Sequence, residues 1–139
     1  MCVILDETKS IRNLLRNPWK RSILWENRNK FNQVFTSIDT IEDSQEAIDA
    51  YKNLPPFKSN TGGYLYIYGL MHSLYVQVDS IDSLYFALFN KGKIYKEHEG
   101  LIEIREHRRL AVGHPTNSKM GQSDAFTFIS RSSVSKERF

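Results

Sequence analysis

Seven residues, Ile67, Met71, Leu74, Val78, Ile81, Tyr85 and Leu88, follow one another at spacings of 4-3-4-3-4-3. On an α-helix, positions three and four apart lie on one face, so this spacing draws a single apolar seam along one long helix from about Tyr64 to Phe89. A seam of that length has to be covered. Another helix packed alongside at a shallow angle covers it, as in a bundle or a helical dimer. The chain is therefore expected to be all-α.

The neighbouring segments carry shorter versions of the same rhythm. Ile11, Leu14 and Leu15 mark a short first helix that Pro18 ends. Leu24, Phe31, Val34, Phe35 and Ile38 predict a second helix from roughly Arg21 to Ile38. A third, carrying Ala47, Ile48, Tyr51 and Leu54, is expected to be capped by Thr40 and Asp43, or by Ser44 alone, and to stop at Pro55-Pro56. Lys58 to Gly63 reads as a loop, with Asn60 or Thr61 capping the long helix. After the turn Asn90-Lys91-Gly92, a last helix runs from roughly Glu97 to Val112. Leu101, Ile104 and Ala111 make its narrow apolar stripe, Arg108 falls within that stripe, and Gly113 and Pro115 mark its end. Thr116 to Asp124 is a polar loop, and Phe126, Phe128 and Ser130 alternate with Thr127 and Ile129 like a short strand. A lone strand needs a partner, so this tail is expected to pair elsewhere or to lead into a further region. The chain reads as an up-and-down bundle of about four or five helices over residues 1–117, then a polar loop and short β-like tail over 118–139.

Composition narrows the chemistry. One cysteine, Cys2, leaves neither a disulfide within the chain nor a cysteine-based zinc cluster. No apolar run approaches the ~20 residues of a membrane span. The run from Met1 to Leu5 is too short for a secretory signal, so a cytoplasmic protein with no membrane partner is expected. Charge is distributed in blocks. Lys9 to Lys30 holds seven bases and one acid, Asp39 to Asp49 five acids and no base, and the chain from Arg105 onward seven bases and three acids. The acidic block reads as a solvated helix face. The basic blocks form one polyanion surface if the fold brings them together.

Familiar phosphate and zinc motifs are missing: there is no G-x-x-x-x-G-K, no G-x-G-x-x-G and no H-E-x-x-H. His72, beside Met71, reads as a partly buried histidine with a hydrogen-bond partner, and His98 and His107 as solvated. Glu97, Glu99, Glu103 and Glu106 spread around their helix instead of converging, so neither a metal nor a cofactor is expected. Tyr64, Tyr68 and Tyr75 share one side of the long helix. Such a stripe can stack bases, but is read here as core or dimer interface.

The informative stretch runs from Ile104 to Thr116. Arg109 precedes His114 with four residues between, and Arg108 with five. Arginine offers a fixed fork of donors to a phosphate, and histidine exchanges a proton near neutral pH. Together they can cut RNA without metal, one holding the scissile phosphate and the other serving the 2′-hydroxyl or the leaving oxygen.

An Arg-x(4–6)-His pattern near a helix end, after a long helix and a turn, resembles the HEPN superfamily (higher eukaryotes and prokaryotes nucleotide-binding) over about residues 60–117. The resemblance implies a helical bundle that forms a homodimer and acts on RNA or a nucleotide. Active members are metal-independent endoribonucleases, many of toxin or phage-defence type, for which an antitoxin-like protein is a partner. It implies Arg108, Arg109 and His114 as catalytic residues; the charges of Arg105 and Lys119 would draw a polyanion to them, and Thr116 joins these two as a phosphate- or RNA-binding candidate. Here Arg108 is followed by Arg109 and Arg109 by Leu110, where the family often has a small polar residue, and Gly113-His114-Pro115 places the histidine at the helix terminus. The alternative is a non-catalytic helical module that dimerises, or binds a nucleotide or partner, within a larger protein.

Overall fold

A computed structural model describes residues 3–55 and 61–109 of the chain, without the side chains of 23–25 and 61. Its regular elements there are all helical: α1 (Val3–Arg16), α2 (Pro18–Trp25), α3 (Arg28–Lys52), α4 (Thr61–Phe89) and α5 (Glu99–Arg108), with a one-turn 3-10 helix, Ile94–Glu97, before α5. The expected strand at 126–130, the boundary at 117 and the helix end at Gly113 and Pro115 lie outside the described residues, as does the cap expected at Asn60.

Local chemistry explains where the helices break. Pro18 follows the end of α1 and also opens α2, where its missing N–H costs nothing and its fixed φ suits the first helical position. The helix expected over Arg21–Ile38 is interrupted at Asn27. That residue is extended (φ −123°), and its side chain accepts the Lys30 N–H at 3.1 Å, so α3 starts afresh behind a true N-cap. The break expected near Thr40 to Ser44 is absent, and one 25-residue helix runs through it. Thr40 Oγ1 donates to the Thr36 carbonyl at 2.8 Å and Ser44 Oγ to the Ile41 carbonyl at 3.0 Å. Hydroxyls satisfied in this way sit inside a helix instead of capping one. Ile38, Ile41 and Ile48 keep one buried face through the junction.

α3 and α4 form the antiparallel centre of the molecule. The Gln33 side-chain amide donates to the Ser83 hydroxyl at 3.0 Å near one end, and the Gln77 amide donates to Gln45 Oε1 at 2.9 Å farther along. The core gathers Leu15 from α1, Val34, Ile38 and Ile41 from α3, and Leu84 and Ala87 from α4. Val34 and Ile38 are fully enclosed. The heptad seam is covered only in part. Ile67 and Val78 are buried, Met71, Leu74, Ile81 and Tyr85 are half-buried, and Leu88 is exposed. In the second half of α4 the buried stripe passes to Gln77, Ser80, Leu84 and Ala87, still at spacings of 3-4-3 but turned around the helix. The cause is a change of neighbour: there the helix meets a cluster that contains Leu15 of α1 as well as the side chains of α3.

The acidic block is more than a solvated face. Arg12 of α1 grips Glu42 through two hydrogen bonds, Nε to Oε1 at 3.1 Å and Nη2 to Oε2 at 2.8 Å, and also reaches Asp39. The Arg12 hydrogen bonds outweigh partial burial and hold the Glu42 carboxyl below its usual range. One member of the first basic block is therefore spent on docking α1. Among the described residues, no helix is long and apolar enough to cross a membrane.

Candidate functional site

α4 ends at Asn90, whose positive φ (57°) is the left-handed turn that commonly closes a helix and that asparagine tolerates. Lys93 takes a second left-handed conformation (φ 65°), and the 3-10 turn follows. Tyr95 within that turn donates its backbone N–H to Asp82 Oδ1 at 3.2 Å, which ties the turn back to α4. α5 then lies along α4 and brings the arginines of its last turn to Tyr75 and Asp79, two residues one turn apart on α4.

Arg105 is clasped on three sides. Its guanidinium carbon lies 4.8 Å from the Tyr75 ring centroid and 4.2 Å from that of Tyr95, and Nη1 pairs with Asp79. Burial opposes its charge, but the hydrogen bond and attraction of Asp79, helped by the two tyrosines, raise its pKa. Arg108 lies over the same tyrosine, its guanidinium carbon 4.5 Å from the Tyr75 centroid. Its Nε is buried and has no hydrogen-bond partner among the described residues, where it forms no ion pair either. Arg109 gives one edge to Glu106, Nε to Oε2 at 2.9 Å and Nη2 to Oε1; this pairing depresses the Glu106 carboxyl and raises Arg109.

These side chains line an open cleft of about 590 Å³, together with Lys96 and Ile102. Four of the lining residues are cationic (Lys96, Arg105, Arg108 and Arg109) and one, Glu106, is acidic. A guanidinium stacked on a ring keeps its edge donors available for in-plane hydrogen bonds. A cleft with that lining suits an oxyanion, a phosphate above all.

Of the residues picked out in the sequence, Arg105, Arg108 and Arg109 share this cleft, whereas His114, Thr116 and Lys119 lie outside the described residues. His98 and His107 are exposed, as expected, and so is His72, which sits on the outward side of α4. Tyr75 belongs to the arginine cleft. Tyr64 and Tyr68 pair with each other at 6.1 Å, farther up the helix. Asp79, Tyr95 and Lys96 were not foreseen. The pattern Tyr75-x-x-x-Asp79 carries a signal of its own, a ring and a carboxylate one turn apart that fit a single arginine. Among the described residues, no three histidine, cysteine or carboxylate side chains converge as metal ligands. No protein-family model, curated protein or solved structure matches the chain.

Proposed function

We propose that the chain is a HEPN-like, RNA-acting protein of the cytoplasm that works as a dimer. In this reading Arg108 holds the scissile phosphate, Arg105 and Lys96 add charge around it, and His114 is the acid/base of a metal-independent cleavage of toxin or defence type. The observation that carries it is the state of Arg108: a half-buried guanidinium on a tyrosine face, with Nε unpartnered among the described residues, in a cleft lined by three further cations. Leaving such a donor unsatisfied is costly, and the Nη groups of the same guanidinium, which make no ion pair among the described residues, are the donors a phosphate oxygen would meet. Arg109, already paired with Glu106 through Nε and Nη2, fits the role less well.

The test is binding and cleavage of single-stranded RNA in EDTA. Arg108→Ala should weaken binding about 10- to 100-fold, the loss of one charge-assisted contact, and should lower the salt slope by about 0.7, the share of one phosphate. His114→Ala should abolish cleavage and spare most of the binding. Cleavage that survives His114→Ala, or that requires a divalent metal, would refute the mechanism. A second reading, a non-catalytic module that binds RNA or a nucleotide, is favoured by one feature of the sequence: Gly113-His114-Pro115 puts the histidine at the expected helix terminus instead of inside a turn. Binding without cleavage would select it.

A further inference from the structure

Trp19 is 83% exposed, the most exposed large apolar side chain among the described residues. It stands in the first turn of α2, and its backbone is fixed. Its N–H donates to Asn17 Oδ1 at 3.0 Å, and its carbonyl accepts the Ser22 hydroxyl at 2.7 Å. The indole is thus presented to solvent from a pinned position. α2 contains no acidic residue, and Arg16, Lys20 and Arg21 surround the tryptophan in sequence. A shallow cleft of about 490 Å³ next to it is lined by Arg16, Pro18, Arg21, Ser22 and Glu26.

We infer that Trp19 is a stacking platform for an unpaired nucleobase, with Arg16 and Lys20 receiving the phosphates on either side. Proteins that hold single strands combine this pair of features, a flat aromatic plate for the base and cations for the backbone. The alternatives fit less well. A helix lying in a lipid surface needs a broad apolar face, and among the described side chains the other exposed large apolar one near this turn is Leu14, at 52%. A protein partner likewise seeks a contiguous apolar patch, whereas the described side chains beside Trp19 include the cations Arg16, Lys20 and Arg21. α2 packs on α1 and α3, while α5 packs on α4, so the tryptophan and the arginine cleft are built on different helices. The choice of ligand rests on the RNA-binding reading above.

The chain has two tryptophans, so Trp25→Phe leaves Trp19 as the one indole reporter. Titration with an unstructured oligouridylate should quench its emission. Trp19→Ala should weaken oligouridylate binding about 5- to 100-fold, the loss of one stacked base, and Trp19→Phe should restore most of it. If Trp25→Phe does not fold, wild-type protein labelled with 5-fluorotryptophan gives one ¹⁹F signal per indole, and the signal missing from Trp19→Ala should shift with oligouridylate. Binding that leaves Trp19 unquenched, or that is equal in Trp19→Ala, overturns the inference. So does a blue shift produced by phosphatidylserine vesicles but not by RNA. Arg108→Ala separates the two readings. Loss of binding there with Trp19→Ala unaffected sinks the tryptophan and keeps the cleft, and the reverse pattern keeps the tryptophan and sinks the cleft. No oligouridylate binding at all removes both.

Discussion

Glu106 takes one hydrogen-bonding edge of Arg109, Nε and Nη2, while Tyr75 offers Arg108 only the face of a ring. Two neighbours of identical chemistry are thereby sorted into a paired surface arginine and one with donors to spare. Arg109→Ala is accordingly expected to change RNA affinity less than about threefold, since an exposed, already neutralised pair contributes little. Asp79 does for Arg105 part of what Glu106 does for Arg109, taking Nη1 of an arginine that lines the cleft. It occupies an edge that a phosphate would otherwise meet. Asp79→Asn should therefore tighten RNA binding, by about 3- to 10-fold in a fluorescence titration, at a stability cost below about 1 kcal/mol because the carboxylate is half exposed. Weaker binding in that variant would mean that Asp79 positions Arg105 instead of competing for it. The arginines were legible in the sequence because Arg108 interrupts an apolar stripe. Tyr95 and Lys96 were not, because their place depends on two left-handed residues that carry no glycine signature, Asn90 and Lys93.

Among the elements, long apolar periodicity is legible in the sequence and the punctuation between helices is not. The all-helical character, the long α4 and the short α1 ending before Pro18 all follow from spacing. Asn27, Thr40 and Ser44 have equal credentials as caps, and the choice among them depends on which neighbours are buried, something a linear pattern does not contain. The turn of the buried stripe along α4 has the same origin and is open to test. Leu84→Ala should cost about 2–4 kcal/mol in urea unfolding, as a buried truncation does. Leu88→Ala, though on the heptad seam, should cost less than about 1 kcal/mol. Equal costs would restore the straight seam. The docking of α1 adds a pH dependence. Glu42 has a carboxyl depressed below its ordinary value of 4.5, so its contribution is complete above that pH and fades as the pH falls through the lower folded value. The protection of α1 amides against hydrogen exchange, relative to their intrinsic rate at each pH, should fall in acid in the wild type, and Glu42→Gln should remove most of the difference.

For the molecule as a whole, several large apolar side chains remain in solvent, among them Leu65 at 72% and Phe89 at 60% at opposite ends of α4. The HEPN-like reading expects a second copy to cover part of this surface. Light scattering at micromolar concentration should then report a dimer, and a clean monomer would count against a cleft shared between subunits. The link between Gln77 and Gln45 has a consequence at this scale. Both amides are buried, and each is the other's partner, with Gln45 continuing to Asp49 at 3.0 Å. Leucines and isoleucines exchange partners cheaply, so an apolar seam alone would let α3 slide along α4 by a turn. A slide here would strand two buried amides, each at about 1–3 kcal/mol. The amide pair therefore works as a detent that allows the hairpin one setting. Since Tyr75 and Asp79 ride on α4 close to that detent, the arginine cleft keeps a fixed position relative to the rest of the bundle.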